Sequence, residues 1–246
     1  MCRPCPLVSS HSCTTVLATI MTLKSIELWG HWGAPNPWKV AMVLEELKLP
    51  YHIMKLELSE VKSQPYLKLN PNGRLPTIVD PNTGITLWES GAIISYLVDQ
   101  YDKNGEISFK NAPEKYLVQQ WLDFQISGQG PYYGQAAWFA RFHSEEIPSA
   151  IDRYVNEIVR VIGVLDEALG RNDTGWLVGD KCTYADIAFV TWAAVGQGIL
   201  KQLNKAEGLE KKYTKYTAWI KVLESRKAVK GVLELMAKGR AEHGLP

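Results

Sequence analysis

Cysteine is scarce in this 246-residue chain, and its few copies are unevenly placed. Cys2, Cys5 and Cys13 fall within the first thirteen residues, and only Cys182 lies in the part of the sequence with regular hydrophobic periodicity. Such a distribution excludes a disulfide framework. The lack of structural disulfides is typical of a protein from a reducing compartment. We therefore expect a cytoplasmic protein without structural disulfides.

Long apolar runs and an excess of charge of one sign are also absent. No stretch approaches the roughly 20 apolar residues that span a bilayer, which excludes an integral membrane protein. The 27 basic residues nearly balance the 26 acidic ones without a long basic run, so we expect neither nucleic acid nor an anionic membrane as a partner. No set of metal ligands stands out, and we expect no metal. What remains is a globular composition, 46% hydrophobic and 22% charged.

Residues 1–22 lack the features of a secretory signal. Their longest apolar run, at residues 16–22, is short and interrupted by threonine, whereas a signal peptide needs about 7–15 continuous apolar residues. We interpret the segment as a disordered leader, with Met21 as an alternative start; a weak organellar transit peptide is the other interpretation. Cys2 and Cys5 have C-x-x-C spacing, but the pair precedes any strand pattern, which argues against a redox motif.

The next eighty residues alternate strand and helix patterns. The predicted elements are, in order, a strand at 25–29, a helix with apolar positions between 40 and 47, a strand at 51–57, a short segment ending at Leu69, hairpin strands at 75–79 and 85–88, and a helix from Glu89. The first three predict a βαβ unit with a right-handed crossover. The later pair adds a hairpin, which gives a four-stranded sheet.

After a polar stretch at residues 102–106, no strand pattern recurs, and everything from Ala112 onward has a helical pattern. A long amphipathic helix begins after Pro148. Thr183 and Asp186 form a capping box ahead of a segment that is apolar on nearly all sides, which suits the middle of a bundle. We therefore divide the chain into a leader at 1–22, an α/β domain at 23–103, a linker at 104–110 and an all-helical domain at 111–246.

Specific motifs point to a family. They are Asn70-Pro-Asn-Gly-Arg-Leu-Pro-Thr-Ile78, Leu87-Trp-Glu-Ser-Gly-Ala-Ile93 and the capping-box segment 176–186. In combination they resemble the cytosolic glutathione transferase superfamily over residues 24–237. Segments 34–40, 124–128 and 141–143 are most similar to its fungal branch with the nitrogen-regulator, prion-type (Ure2-like) homologue. The resemblance implies a thioredoxin-like α/β N-terminal domain, with βαβαββα order and a mixed four-stranded sheet, followed by an all-α helical bundle.

The resemblance also implies a glutathione site in the first domain. Ser90, with the backbone N–H groups and positive dipole of its helix, would hold the γ-glutamyl carboxylate, and Glu89 the ammonium. A cis Leu75–Pro76 bond would turn the Leu75 N–H and C=O outward to pair with the cysteinyl backbone. Lys62 is placed to meet the glycyl carboxylate. The plainer alternatives are an N-cap for Ser90 and a solvated charge for Lys62.

Asn36 occupies the position that activates the thiol in this family, where other branches place Tyr, Ser or Cys. Its alternative role is an N-cap followed by Pro37 at the first helical position. The two roles are compatible, because the side-chain oxygen can cap a backbone N–H while the NH₂ group donates to the glutathione sulfur. An amide is not a base, so Asn36 as the catalytic residue would stabilise the thiolate rather than remove the proton.

Six residues early in the second domain are candidates for an electrophile site. The first helix of that domain faces the thiol in the family, and aromatic rings among polar groups suit a hydrophobic substrate. The candidates are Trp121, Phe124, Gln125, Tyr132, Tyr133 and Arg141. The alternative is that the rings form bundle core. Thr183 and Asp186 are structural in either interpretation.

The expected protein is a homodimeric enzyme that uses glutathione as co-substrate and conjugates its thiolate to a small hydrophobic electrophile, with peroxide reduction as a further activity. Two alternatives stay open. A thiol oxidoreductase of the same fold would need a cysteine at position 36, where Asn stands. A non-catalytic glutathione-binding regulatory protein is credible from the fungal branch, although prion-type behaviour depends on a long Asn/Gln-rich tail that this leader lacks.

Overall fold

The computed structural model describes residues 23–245, so the predicted leader at 1–22 lies outside the described residues. The first domain is built on four strands, Ile26–Gly30 (β1), Tyr51–Lys55 (β2), Thr77–Asp80 (β3) and Ile85–Trp88 (β4), in the order β2-β1-β3-β4. Strand β2 runs parallel to β1, and β3 runs antiparallel to both β1 and β4. The predicted thioredoxin-like mixed sheet is confirmed.

Three helices complete this domain: Pro35–Glu46 (α1), the short Tyr66–Leu69 (α2) and Ser90–Tyr101 (α3). Helix α1 packs against β1 and α3, and α3 packs against β3 and β4. The alternation in β1 buries Ile26 and Leu28, as the sequence predicted. Strand β3 begins at Thr77, two residues later than predicted, because Pro76 has no N–H to donate to a ladder.

The second domain is helical throughout, as predicted. Its elements are Glu114–Phe124 (α4), a π-helical turn Gln125–Gln129, Gly130–Arg141 (α5), Pro148–Asn172 (α6), Tyr184–Ala188 (α7), Val190–Gln202 (α8), Leu209–Lys212 (α9), Thr214–Ser225 (α10) and Lys227–Glu242 (α11). Helix α6 buries its apolar stripe against α5 and α10. None of the helices within residues 23–245 has the length and apolar character needed to cross a membrane.

Asp186 organises the centre of this bundle. Its carboxylate accepts hydrogen bonds from the Thr183 N–H (2.9 Å) and hydroxyl (2.7 Å), from the Leu177 N–H (3.1 Å) and from Trp219 Nε1 (3.0 Å). The side chain is fully buried, and burial raises the pKa of Asp186 against the effect of these donors. The capping box therefore ties α7 to the preceding loop and to α10.

The two domains are joined by specific polar contacts. Arg226, the residue before α11, makes a bidentate pair with Glu46 at the end of α1, at 2.7 and 2.8 Å. Between the domains, the Asp102 carboxylate accepts bonds from the Glu106 N–H (2.6 Å) and the Ser108 hydroxyl (2.6 Å). The segment predicted as a linker thus includes an ordered turn that is held against Asp102 at the end of α3.

Candidate active site

A cleft of about 400 Å³ opens between the two domains. The first domain lines it with Asn36, Lys39, Arg74, Glu89 and Ser90, and the second domain with Ile126, Gly130, Pro131, Gly134, Gln135, Trp138 and Trp192. Three predicted site residues, Asn36, Glu89 and Ser90, therefore meet in one cleft although they lie on different helices. No group of three or more His, Cys, Asp or Glu side chains within residues 23–245 is arranged to hold a metal ion.

Asn36 does not cap its helix, so the capping role considered for it is wrong. Helix α1 starts at Pro35, two residues before the Pro37 start that a cap at Asn36 requires, with Ala34 as the residue before it and no side-chain cap. The Asn36 Oδ1 instead accepts a hydrogen bond of 2.8 Å from Nε1 of Trp192, on α8. An indole N–H can only donate, so this bond identifies the amide oxygen and leaves the Asn36 NH₂ group free for another acceptor.

Glu89 and Ser90 form the start of α3, where Glu89 is the residue before the helix and Ser90 its first residue. Ser90 is therefore not the N-cap. The backbone of Glu89 has φ 68° and ψ 114°, a left-handed conformation that costs a non-glycine residue about 1–3 kcal/mol and is concentrated at functional sites. Ser90 is buried at the positive end of the helix, while Glu89 stays exposed. This geometry suits a carboxylate at Ser90 and an ammonium at Glu89.

Gly91 lets the second domain approach this helix start. A Cβ atom built at Gly91 would lie 2.8 Å from Cδ1 of Ile126, so the end of the Ile126 side chain would have to shift to admit it. Ile126 belongs to the π-helical turn and lines the cleft. The glycine in the family motif therefore has a packing reason that is independent of glutathione.

The Leu75–Pro76 peptide bond is cis. Among residues 23–245, neither the N–H nor the C=O of Leu75 makes a backbone hydrogen bond. The preceding Arg74 C=O accepts bonds of 2.7 Å from both the Tyr66 hydroxyl and Asn70 Nδ2, which holds this loop in place. The Leu75 backbone is thus held and still available to pair with an extended ligand.

Lys62 lies beside this loop rather than in the cleft lining. Its Nζ donates to the Asn72 C=O at 2.7 Å, and the side chain is exposed. Its predicted contact with the glycyl carboxylate stays a prediction.

The six candidates for the electrophile site lie around the cleft but do not line it. Tyr133 is buried and its hydroxyl donates to the Ile158 C=O at 3.3 Å, and Arg141 donates to Gln202 Oε1 at 2.8 Å. The other rings pack in the bundle: Trp121 against Phe124 (5.7 Å between centroids), Phe124 against Phe189 (6.3 Å) and Tyr132 against Tyr154 (6.4 Å). The apolar surface of the cleft includes Ile126, Pro131, Trp192 and Trp138, of which Trp138 is 50% exposed.

A π-helical turn separates α4 from α5. A π-helix has more residues per turn than an α-helix, so α5 is rotated relative to the face that a continuous helix from α4 would present. The turn also places Gln125 behind the cleft wall, where its Oε1 accepts a bond of 2.6 Å from Nζ of Lys39.

Sequence reasoning missed Lys39, Arg74 and Trp192. Lys39 directly precedes the apolar stripe that starts at Val40, and this position in the sequence does not show that the lysine is buried. Burial lowers its pKa from 10.5 to about 7, with Glu89 acting in the opposite direction. Trp192 carried no local signal, since its partner Asn36 is 156 residues away.

Comparison with known proteins agrees with this geometry. The family models for the glutathione S-transferase N-terminal and C-terminal domains match residues 24–99 and 138–234. The chain is 48% identical to the glutathione S-transferase-like protein gedE of Aspergillus terreus, over 86% of this chain and 95% of the relative. It is 44% identical to glutathione S-transferase 2 of Schizosaccharomyces pombe, over 88% and 98%.

A solved structure shares the fold as well as the sequence. The glutathione transferase URE2P6 of Phanerochaete chrysosporium, crystallised with oxidized glutathione, is 46% identical and superposes with a TM-score of 0.81, covering 88% of this chain and 98% of that one. The motifs, the sheet topology, the cleft and these likenesses agree, and the chain belongs to the glutathione S-transferase superfamily, in its Ure2-like branch.

Proposed function

We propose that this chain is a glutathione transferase that conjugates the glutathione thiolate to a hydrophobic electrophile. The observation that carries the proposal is the meeting of Asn36, Glu89 and Ser90 in one cleft that also has an apolar wall from the second domain. The presence of oxidized glutathione in the URE2P6 structure supports glutathione as the ligand.

The γ-glutamyl end of glutathione is assigned to the start of α3. Its carboxylate would accept hydrogen bonds from the Ser90 hydroxyl and from N–H groups at the helix N-terminus, where the dipole favours negative charge. Its ammonium would pair with the exposed Glu89 carboxylate. The Leu75 N–H and C=O would pair with the cysteinyl residue as an added strand does, and Lys62 remains the proposed partner of the glycyl carboxylate.

The thiol is assigned to Asn36. With Oδ1 engaged by Trp192, the amide presents its NH₂ group as a neutral donor to the sulfur. A donor stabilises the thiolate more than the thiol, so the bond lowers the thiol pKa, and the positive end of α1 acts in the same direction. The thiolate then attacks an electrophile held against Trp138 and Ile126, and the same thiolate could reduce a hydroperoxide.

The test is a screen of purified protein with glutathione against aryl halides, alkyl halides, unsaturated carbonyls and hydroperoxides. We expect turnover of at least one electrophile, reduced in a Ser90→Ala variant. Glutathione binding without turnover of any compound would favour the non-catalytic regulatory alternative. Absence of glutathione binding by calorimetry would overturn the assignment of the cleft.

A further inference from the structure

Lys39 is a buried cation that has no carboxylate partner among the described residues 23–245. Its side chain is 1% exposed, lines the cleft and lies three residues after Asn36 on α1. Within residues 23–245, no ion pair includes it. A fully buried lysine is rare unless it is paired, so the position needs an explanation other than packing.

Two glutamines hold this lysine from the second domain. The Phe189 C=O can only accept, so Gln129 must present Nε2 to it, at 3.2 Å. Gln129 Oε1 then accepts from Gln125 Nε2 at 2.9 Å, and Gln125 Oε1 accepts from Lys39 Nζ at 2.6 Å. The direction of the whole chain is therefore set at Phe189. This chain of bonds uses one N–H of Lys39, and no other side chain or backbone group within residues 23–245 bonds to the amino group.

The charges around Lys39 are few. Glu89 acts on it from the start of α3, and Arg74 lines the same cleft. The side chains that the π-helical turn and α8 place near Lys39 are neutral: two glutamine amides and the Trp192 indole. The Asp186 carboxylate of α7 accepts hydrogen bonds from other groups. Burial outweighs Glu89 and brings the pKa of Lys39 to about 7, so the amine and the ammonium are both populated near neutral pH.

We propose that Lys39 accepts the proton of the glutathione thiol while Asn36 stabilises the thiolate that remains. The step rests on the glutathione site proposed above. The S–H bond breaks, its electron pair stays on sulfur, and the proton forms a new N–H bond with the lone pair of the neutral Lys39 amine. A neutral pair becomes an ammonium and a thiolate, so charge is conserved within the cleft. After conjugation, the ammonium returns its proton to solvent or to a basic leaving group.

The division of labour follows from the chemistry of the two side chains. Asn36 can donate to sulfur but cannot take its proton, whereas Lys39 has a titratable lone pair. The buried ammonium formed in the step then attracts the thiolate more strongly than it would in water. Lys39 is thus the internal base that an asparagine site otherwise lacks.

The test measures how many protons are released when glutathione binds, by calorimetry at pH 7.5 in buffers of different ionisation enthalpy. Thiolate absorbance is measured in parallel. With a Lys39 pKa of about 7, about three-quarters of the protein holds the neutral amine, and about nine-tenths of free glutathione is still thiol. Because Lys39 takes up most of the proton that the thiol loses, we expect release of only about 0.2 proton to the buffer per thiolate formed. This value is obtained after subtraction of the proton release measured with S-methylglutathione, which has no thiol proton. Release of about 0.9 proton by the wild type would overturn the proposal.

Variants supply a second measurement. Lys39→Met should lose the thiolate absorbance at pH 7.5 but still bind S-methylglutathione, whereas the exposed-lysine control Lys115→Met should behave as wild type. Lys39→Arg, a permanent cation, should form thiolate with release of about 0.9 proton. Thiolate formed by Lys39→Met as in the wild type would also overturn the proposal. If neither glutathione nor S-methylglutathione binds the wild type, the glutathione site itself is wrong and the role of Lys39 falls with it.

Discussion

Trp192 is expected to act on the thiol through Asn36, and Trp192→Phe tests this. The substitution removes the indole N–H that donates to Asn36 Oδ1 at 2.8 Å. It keeps an aromatic ring against Gly130 and Gly134, which face Trp192 closely. Without the bond, the Asn36 amide is free to rotate, and its NH₂ group is held less firmly toward the sulfur.

The size of the effect follows from one neutral hydrogen bond. Such a bond contributes about 0.5–1.5 kcal/mol, and one pKa unit corresponds to about 1.4 kcal/mol. The pKa of bound glutathione should therefore rise by about 0.4–1.1 units in Trp192→Phe. Because the thiolate is the reactive form, kcat/KM measured well below that pKa should fall about 2- to 13-fold, and the loss should disappear at high pH.

The assay is thiolate absorbance of the glutathione complex against pH, combined with a double-mutant cycle. Asn36→Ala should raise the thiol pKa by at least as much as Trp192→Phe. In the Asn36→Ala background, Trp192→Phe should change the pKa by less than about 0.3 units, because the bond it removes is already gone. Trp176→Phe, a tryptophan that does not line the cleft, is the matched control and should titrate as wild type.

Two results would refute this reasoning. If Trp192→Phe lowers turnover by the same factor at every pH and in both backgrounds, Trp192 contributes by packing and not through the amide. If Asn36→Ala leaves the thiol pKa unchanged, Asn36 does not stabilise the thiolate at all, and the donor must be sought elsewhere in the cleft.

Three further predictions concern binding, stability and assembly. Ser90→Ala should weaken glutathione binding by about 1.5–3 kcal/mol, roughly 10- to 150-fold, and an unchanged Kd by calorimetry would remove Ser90 from the site. Asp186→Ala leaves three buried N–H donors and a hydroxyl without their acceptor, so the free energy of unfolding measured in urea should fall by about 3–5 kcal/mol. A loss under about 1 kcal/mol would contradict the role of Asp186 in organising the bundle. The protein should be a homodimer, as the family resemblance implies, and a monomer mass in light scattering at micromolar concentration would count against it.

Much of the fold and part of the site follow from local sequence patterns. Alternation in β1 and the apolar stripe of α1 come from backbone periodicity, which does not depend on distant residues. The capping box of Thr183 and Asp186 is equally local, since its members are three residues apart. Glu89 and Ser90 could be proposed for the site from the sequence because their motif lies at a helix start, where any chain exposes N–H groups.

The sequence by itself therefore determined the two-domain architecture and the family, and it predicted residues that the fold places at the start of α3. Only the tertiary structure decided how Asn36 and Lys39 are held in the cleft. Trp192 reaches Asn36 across 156 residues and Gln125 reaches Lys39 across 86, so neither bond leaves a trace in local spacing. Aromatic composition pointed to Tyr133, whereas the fold buries Tyr133 in the bundle and presents Trp138 to the cleft. Hydrogen bonds between distant side chains depend on how the domains pack, and that packing is a property of the whole chain.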